Sequence, residues 1–359
     1  MRVPHYAKRC FAALALTALV VGCGGDSTAP DAPFDASGTS SDIGALEASF
    51  DSPATASFAA ASVAISDVLG ASPAAAAVKA MPTKALVTGG KSYSTAVAKA
   101  YARPGGGISP SFSTAAVPAE YLGVTFTRDA ETLEYGPSDL AGAPADGVRF
   151  MVYAVNPISG VVITPLVEVG YADIVTTETT SAVTVRIELV AANVTYLDYS
   201  VGITGAGTSG TVTVSGFVSN GDDRVDFDLD MHVTASSFVA DFALTVPTRN
   251  GFRIDFEGEI TFDDEMTETQ VTSTLEARGP HGTVTISGTA TGTSASYEVE
   301  VNGDLFATIV HTQGGNPVIT GADGQPLSAE ELEALQDVFA VFVQGFDFAA
   351  DLLEPLPTV

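Results

Sequence analysis

By type and spacing, the acids of this chain are its best candidates for chemistry. Asp226, Asp228 and Asp230 alternate along one stretch, and Asp255, Glu257 and Glu259 along another. Brought to a point, such carboxylates hold a divalent cation; paired at a suitable separation, they act as general acid and base in a hydrolase. Alternation argues against convergence. Side chains two residues apart on a strand stand parallel and ~7 Å apart, whereas a hard cation needs six or more oxygens around one centre. The spacing therefore predicts a solvated acidic face and no metal site. A carboxylate pair assembled from distant segments leaves no signature in sequence, so a hydrolase of that kind stays open as an alternative.

Other chemistry finds little support. Beyond the N-terminal stretch, His232, His281 and His311 each stand alone, with no HExxH, GxSxG or paired His and Cys spacing. Gly105-Gly106-Gly107 lacks the GK[ST] sequel of a phosphate loop. Gly321-Ala322-Asp323-Gly324 followed by Ser328 and Glu331 has the outline of a calcium-loop end, but Ile319 and Gly321 occupy positions where acids should precede Asp323. No cofactor is implied.

The N-terminus is more specific. Arg2, Lys8 and Arg9 precede an apolar run from Phe11 to Val21, which ends in Val20-Val21-Gly22-Cys23. The run is short for a membrane span. This stretch resembles the bacterial lipoprotein signal peptide, whose lipobox ends in an invariant cysteine. The resemblance covers residues 1–22 and the cysteine, and it implies cleavage before Cys23 and lipidation there, through palmitate-like acyl chains. Two or three such chains anchor a protein stably where one binds only marginally. Gly24 rather than Asp follows the cysteine, which in that class goes with export to the outer membrane, facing the periplasm or the cell surface. Cys10 lies within the leader, so no thiol remains for a disulfide or catalysis.

Composition changes sharply along the rest. Residues 23–41 are small and polar apart from Phe34 and read as a flexible tether. In residues 42–70 the apolar period becomes helical: Ile43, Leu46 and Phe50 make one stripe and Phe58, Ala61, Ile65 and Leu69 a second, with Pro53 between them and Gly70 as a stop. Residues 71–119 contain no acid and carry Lys79, Lys84, Lys91, Lys99 and Arg103. They read as a basic Ala/Gly/Ser/Pro-rich linker lying against acidic surface, or as an arm for acidic headgroups or polysaccharide. From Glu120 onward acids dominate. The formal net charge is −28, which favours solubility and argues against a nucleic-acid partner.

Residues 120–359 read as one β domain. In the stretch from Thr211 to Thr312, strands of period two are separated by turns. Val225, Phe227, Leu229, Met231 and Val233 oppose Asp226, Asp228, Asp230 and His232. Phe252, Ile254, Phe256, Ile260 and Phe262 oppose Arg253, Asp255, Glu257 and Glu259. Asn250-Gly251 and Asn302-Gly303 favour primed two-residue hairpins, and connections this short exclude crossover helices. About thirteen strands are predicted. At the end, Ser328-Ala329-Glu330-Glu331 is a capping box opening a helix over 328–350 with Leu332, Leu335, Phe339, Phe342 and Phe346 on one stripe.

The expected fold is mainly β: a long antiparallel up-and-down meander, a curved sheet or partly open barrel, with short N-terminal helices and the C-terminal helix on its apolar face. Two functions follow. One is a non-catalytic lipoprotein, a structural or binding module with a filled core and a protein partner. The other is a carrier of lipid or another amphiphile held between sheet and helix by Phe227, Phe242, Phe256, Phe339 and Phe342. Transmembrane strands also alternate, which leaves a membrane barrel as a third reading.

Overall fold

In a computed structural model of the chain, the residues described are 35–70, Ser72, Ala74 and 117–338, apart from 207–208, 235, 263–267, 292, 313–317, 334 and 336–337. The predicted leader, most of the tether, almost all of the basic linker and the end of the C-terminal helix lie outside them, as do Cys23, Phe339 and Phe342.

Two helices come first. Helix α1 (Ala36–Ser49) starts inside the segment read as tether. Its start signal is Asp35, whose Oδ1 accepts a hydrogen bond from the Gly38 amide at 2.9 Å. Helix α2 (Pro53–Leu69) opens on a full capping box, Ser52 with Thr55, has Pro53 in its first turn and stops at Gly70 with φ +66°. Ile43, Leu46, Phe50, Phe58, Ala61, Ile65 and Leu69 are all buried, so both helical stripes face the core.

All fifteen strands join one sheet: β1 (Thr125–Arg128), β2 (Tyr135–Ser138), β3 (Gly147–Tyr153), β4 (Glu168–Glu178), β5 (Ala182–Ala191), β6 (Val194–Ala206), β7 (Ser209–Ser219), β8 (Arg224–Val233), β9 (Ser237–Val246), β10 (Phe252–Phe262), β11 (Glu268–Gly279), β12 (Gly282–Ala290), β13 (Ser294–Val301), β14 (Asp304–Thr312) and β15 (Val318–Gly321). From β3 to β15 each strand pairs antiparallel with the next, so the meander prediction holds over these thirteen strands. The sheet is not closed; its edges are β2 and β15. One departure occurs at the first edge. There β1 inserts between β3 and β2 and runs parallel to β3 through Thr125↔Arg149 and Phe126↔Phe150.

The turns follow their residues. Asn302 and Gly303 take φ +52° and +88° in the expected two-residue hairpin, with Val301 opposite Asp304. Asn250 and Gly251 take +54° and +71° but close a longer connection, because Pro247–Arg249 forms a 3-10 turn ahead of them and Val246 lies opposite Phe252. Two tyrosines lie opposite glycines: Tyr199 pairs Gly216 and Tyr297 pairs Gly288. A Cβ on Gly216 would come within 2.5 Å of the Tyr199 Cα, so the missing side chain is what admits the close approach.

The inward residues of every strand from β3 to β14 join a single buried cluster with both helices and with Leu335 and Val338 of the C-terminal helix. The capping box of that helix is formed: the Ser328 amide donates to Glu331 Oε2 at 2.9 Å and the Glu331 amide to Ser328 Oγ at 3.3 Å. Helix α2 packs on β2 to β6 and α1 on β8. Charges point outward, where Arg149 pairs Asp173, Arg186 pairs Asp198, and Arg253 and Arg278 both reach Asp255. Apolar inside and charged outside is the reverse of a membrane-spanning barrel, whose outer band is apolar.

Candidate functional site

Period two puts Phe227, Phe242 and Phe256 on the inward face of three adjacent strands, and the register brings them together. Phe242 lies opposite Phe256, with ring centroids 5.8 Å apart, while Phe227 is diagonal to Phe242 because Leu229 takes the direct place. Tyr199 extends the group, 6.3 Å from Phe227. The three phenylalanines are 4–5 % exposed and Tyr199 is 1 % exposed. Burial drives the Tyr199 hydroxyl far above its ordinary range, so it stays protonated. These aromatic rings pack on one another as core.

Polar atoms also face inward near the other end of the strands. His311 continues the inward row Ala307, Ile309 of β14, and Ser273 continues Val271, Leu275 of β11. Among the described residues, Ser273 Oγ and His311 Nδ1 have no hydrogen-bond partner, although both side chains are at least 95 % buried. Between them lie β12 and β13, which contribute Ala290, Ala295 and the buried Tyr297, whose ring lies against Gly288. Strict alternation along β11 and β14 would have revealed both residues in the sequence.

The outward acids form a row that the sequence reading described only in part. Asp230 on β8 faces Asp241 on β9, which in turn faces Glu257 on β10. Asp241 is the missing link between the two acidic stretches. Desolvation, then Glu257, then Asp230 raise its carboxyl above the usual value. Three parallel carboxylates on one exposed face do not surround a common point. Among the described residues no group of three His, Cys, Asp or Glu side chains can hold a metal ion.

The histidines stay apart. His232 is exposed on β8, its Nδ1 3.2 Å from Thr211 Oγ1; His281 occupies the turn from β11 to β12; His311 is inside. Asp323 uses Oδ1 to accept the Gln325 amide at 2.8 Å, closing a turn. No described helix is long and apolar enough to cross a membrane.

The chain is thus an open antiparallel meander with helices on its apolar face. No protein-family model matches it, and neither a curated protein nor a solved structure is significantly similar.

Proposed function

We propose that the protein is a non-catalytic lipoprotein, anchored through Cys23 to a bacterial membrane, in the outer membrane by the residue after the cysteine, and serving as a structural or binding module. The observation that carries the module reading is the packing of Phe227, Phe242, Phe256 and Tyr199 against one another at 5 % exposure or less. Side chains that contact each other in this way form a filled core, which leaves the charged exterior as the surface for a partner. Native mass spectrometry of residues 24–359, followed by solvent extraction, tests it. The expected result is the mass of the bare chain. A co-purifying lipid would overturn it.

A carrier of amphiphiles is the second reading, favoured by Ser273 Oγ and His311 Nδ1. Buried polar atoms without partners are rare, and a ligand headgroup reaching Ser273 and His311 would supply what they lack. On this reading, extraction releases a lipid from the wild type, and the amount falls when His311 is replaced by Leu.

A further inference from the structure

The connection from β3 to β4 is a hairpin whose apolar residues face water. Ile158 is 95 % exposed, Val161 61 %, Val167 51 % and Ile163 40 %. Of the eleven large apolar side chains that are exposed among the described residues, four fall on these ten positions. Single exposed apolar residues are ordinary; a contiguous group marks an interaction site.

Most backbone amides at the tip of the hairpin are satisfied from within. The Asn156 amide donates to the Val161 carbonyl and the Gly160 amide to the Asn156 carbonyl, both at 2.8 Å. Asn156 Oδ1 accepts from the amides of Ile158 and Ser159 at 2.9 and 3.1 Å. The Ile163 amide reaches the Ala154 carbonyl at 2.9 Å, and Pro157 and Pro165 have no amide hydrogen to satisfy. Amides closed in this way lose little when they leave water, and the tip carbonyls can stay hydrated in the interfacial layer, where water is still present. Charge points the same way. From Phe150 to Val167 there is no charged residue, in a chain in which 16 % are charged.

Orientation supplies the occupant. Because strands from β3 onward alternate in direction, the connections after β3, β5, β7, β9, β11 and β13 share one end of the sheet. His281 belongs to the connection after β11, and it holds Asp35 at the start of α1 at 2.7 Å. The chain leading back to the lipobox cysteine therefore leaves from the end that bears the hairpin. Only twelve positions separate Cys23 from Asp35, a reach of at most ~40 Å when extended.

We infer that the hairpin at 154–167 inserts Ile158, Val161 and Ile163 into the interfacial layer of a zwitterionic bilayer, as a second, non-covalent membrane contact beside the anchor. The orientation argument rests on the lipoprotein reading; the composition and closure of the hairpin do not. With a net charge of −28 on the chain, anionic lipid repels the contact.

The absence of tryptophan gives a clean test. Ile158→Trp in residues 24–359, which lack the cysteine, is titrated with phosphatidylcholine vesicles and with phosphatidylglycerol vesicles. Its emission is expected to shift to the blue and saturate with phosphatidylcholine, and to respond less to phosphatidylglycerol. Val318→Trp, exposed on the edge strand β15, controls for the affinity of tryptophan itself and is expected to stay unshifted. Vesicle co-sedimentation of the tryptophan-free chain is expected to fall at least about tenfold with Ile158→Asp and Val161→Asp together. Unchanged Ile158→Trp emission, or equal shifts at the two sites, would overturn the inference, and a protein partner for the hairpin would appear as the first of these. The lipoprotein reading fails separately, if the N-terminal peptide of the full chain isolated from bacteria carries no acyl mass.

Discussion

Nδ1 of His281 lies 2.7 Å from the Asp35 carboxylate, and Nε2 of the same ring lies 3.8 Å from Asp42 Oδ2, so one imidazole faces the acid that precedes helix α1 and another within it. Gly38 fits beneath it, since a Cβ there would come within 2.3 Å of the ring. The helix is thereby fastened to the turn between β11 and β12.

The two acids respond to pH in opposite ways. The Gly38 amide and His281 hold the Asp35 carboxyl below its ordinary value, so its contribution is present above pH 3.8 and is lost as pH falls through its folded pKa. Burial raises Asp42 above 3.8, more than His281 and Arg249 lower it, so its ionised form opposes folding as pH rises through that window. Asp42→Asn is expected to raise the thermal midpoint at pH 7 and to have no effect well below pH 3.8. His281→Gln is expected to lower the midpoint at pH 7. A lower midpoint for Asp42→Asn would mean that its attraction to His281 outweighs its burial.

Asp241 meets an acid on each side, and like charges directly opposite on neighbouring strands repel. Asp241→Asn is expected to stabilise the fold at pH 7 by roughly 0.2–1 kcal/mol, read from denaturant midpoints. Since its folded pKa is raised, the gain shrinks as pH falls towards 3.8 and both states become protonated. Salt screens exposed charges, so the gain also shrinks in 1 M NaCl. A gain that persists in high salt would point to packing instead of repulsion.

Arg149 and Asp173 face each other on β3 and β4 through two parallel hydrogen bonds, of 2.6 and 2.7 Å, and the guanidinium lies 3.6 Å from the Tyr171 ring centroid. Both side chains are less than one-fifth exposed. Arg149→Ala is expected to lose about 1.5–3 kcal/mol in urea unfolding. Arg149→Lys keeps the charge but not the fork or the ring contact, and is expected to recover less than half of that loss.

Period two made the meander legible, because Val225 to Val233 and Phe252 to Phe262 sort their apolar and acidic residues onto opposite faces. Asn302-Gly303 and the capping box at Ser328 were legible for local reasons, while the connection at Asn250-Gly251 is longer than that pair suggested because Pro247–Arg249 turns ahead of it. What stayed hidden was long-range or weakly marked. Strand β15 has four residues, too few to show a period, and the parallel placement of β1 depends on its partner β3. The described residues hold fifteen strands where about thirteen were expected. Ala192 and Asn193 take positive φ without a glycine, so the β5–β6 turn has no strong signal. Helix α1 begins in Ala36-Ser37-Gly38-Thr39, residues that read equally well as tether, and only the cap from Asp35 marks the start. In the candidate site, Phe227, Phe242 and Phe256 were placed correctly on one face, but their mutual contact depends on register. The row Asp230, Asp241, Glu257 was missed because strand pairing, not spacing along the chain, assembles it.

Phe256 separates the two functional readings by stability alone. In a filled core, removing a phenylalanine loses its transfer free energy and leaves a cavity, together about 3–5 kcal/mol. Phe256 meets Phe242 at 5.8 Å and is 4 % exposed, so Phe256→Ala is expected to fall in that range by urea denaturation, and Phe256→Leu to lose much less. Phe242→Ala should behave alike, and the double variant should lose less than the two single losses combined, because the rings share one contact. If the rings instead lined a space that an acyl chain fills, the delipidated protein would already lack those contacts. Truncation would then lose under about 1 kcal/mol without lipid and several-fold more with lipid bound. Comparing Phe256→Ala with wild type before and after solvent extraction therefore reports whether the apolar face of the meander is closed on itself or waits for a ligand.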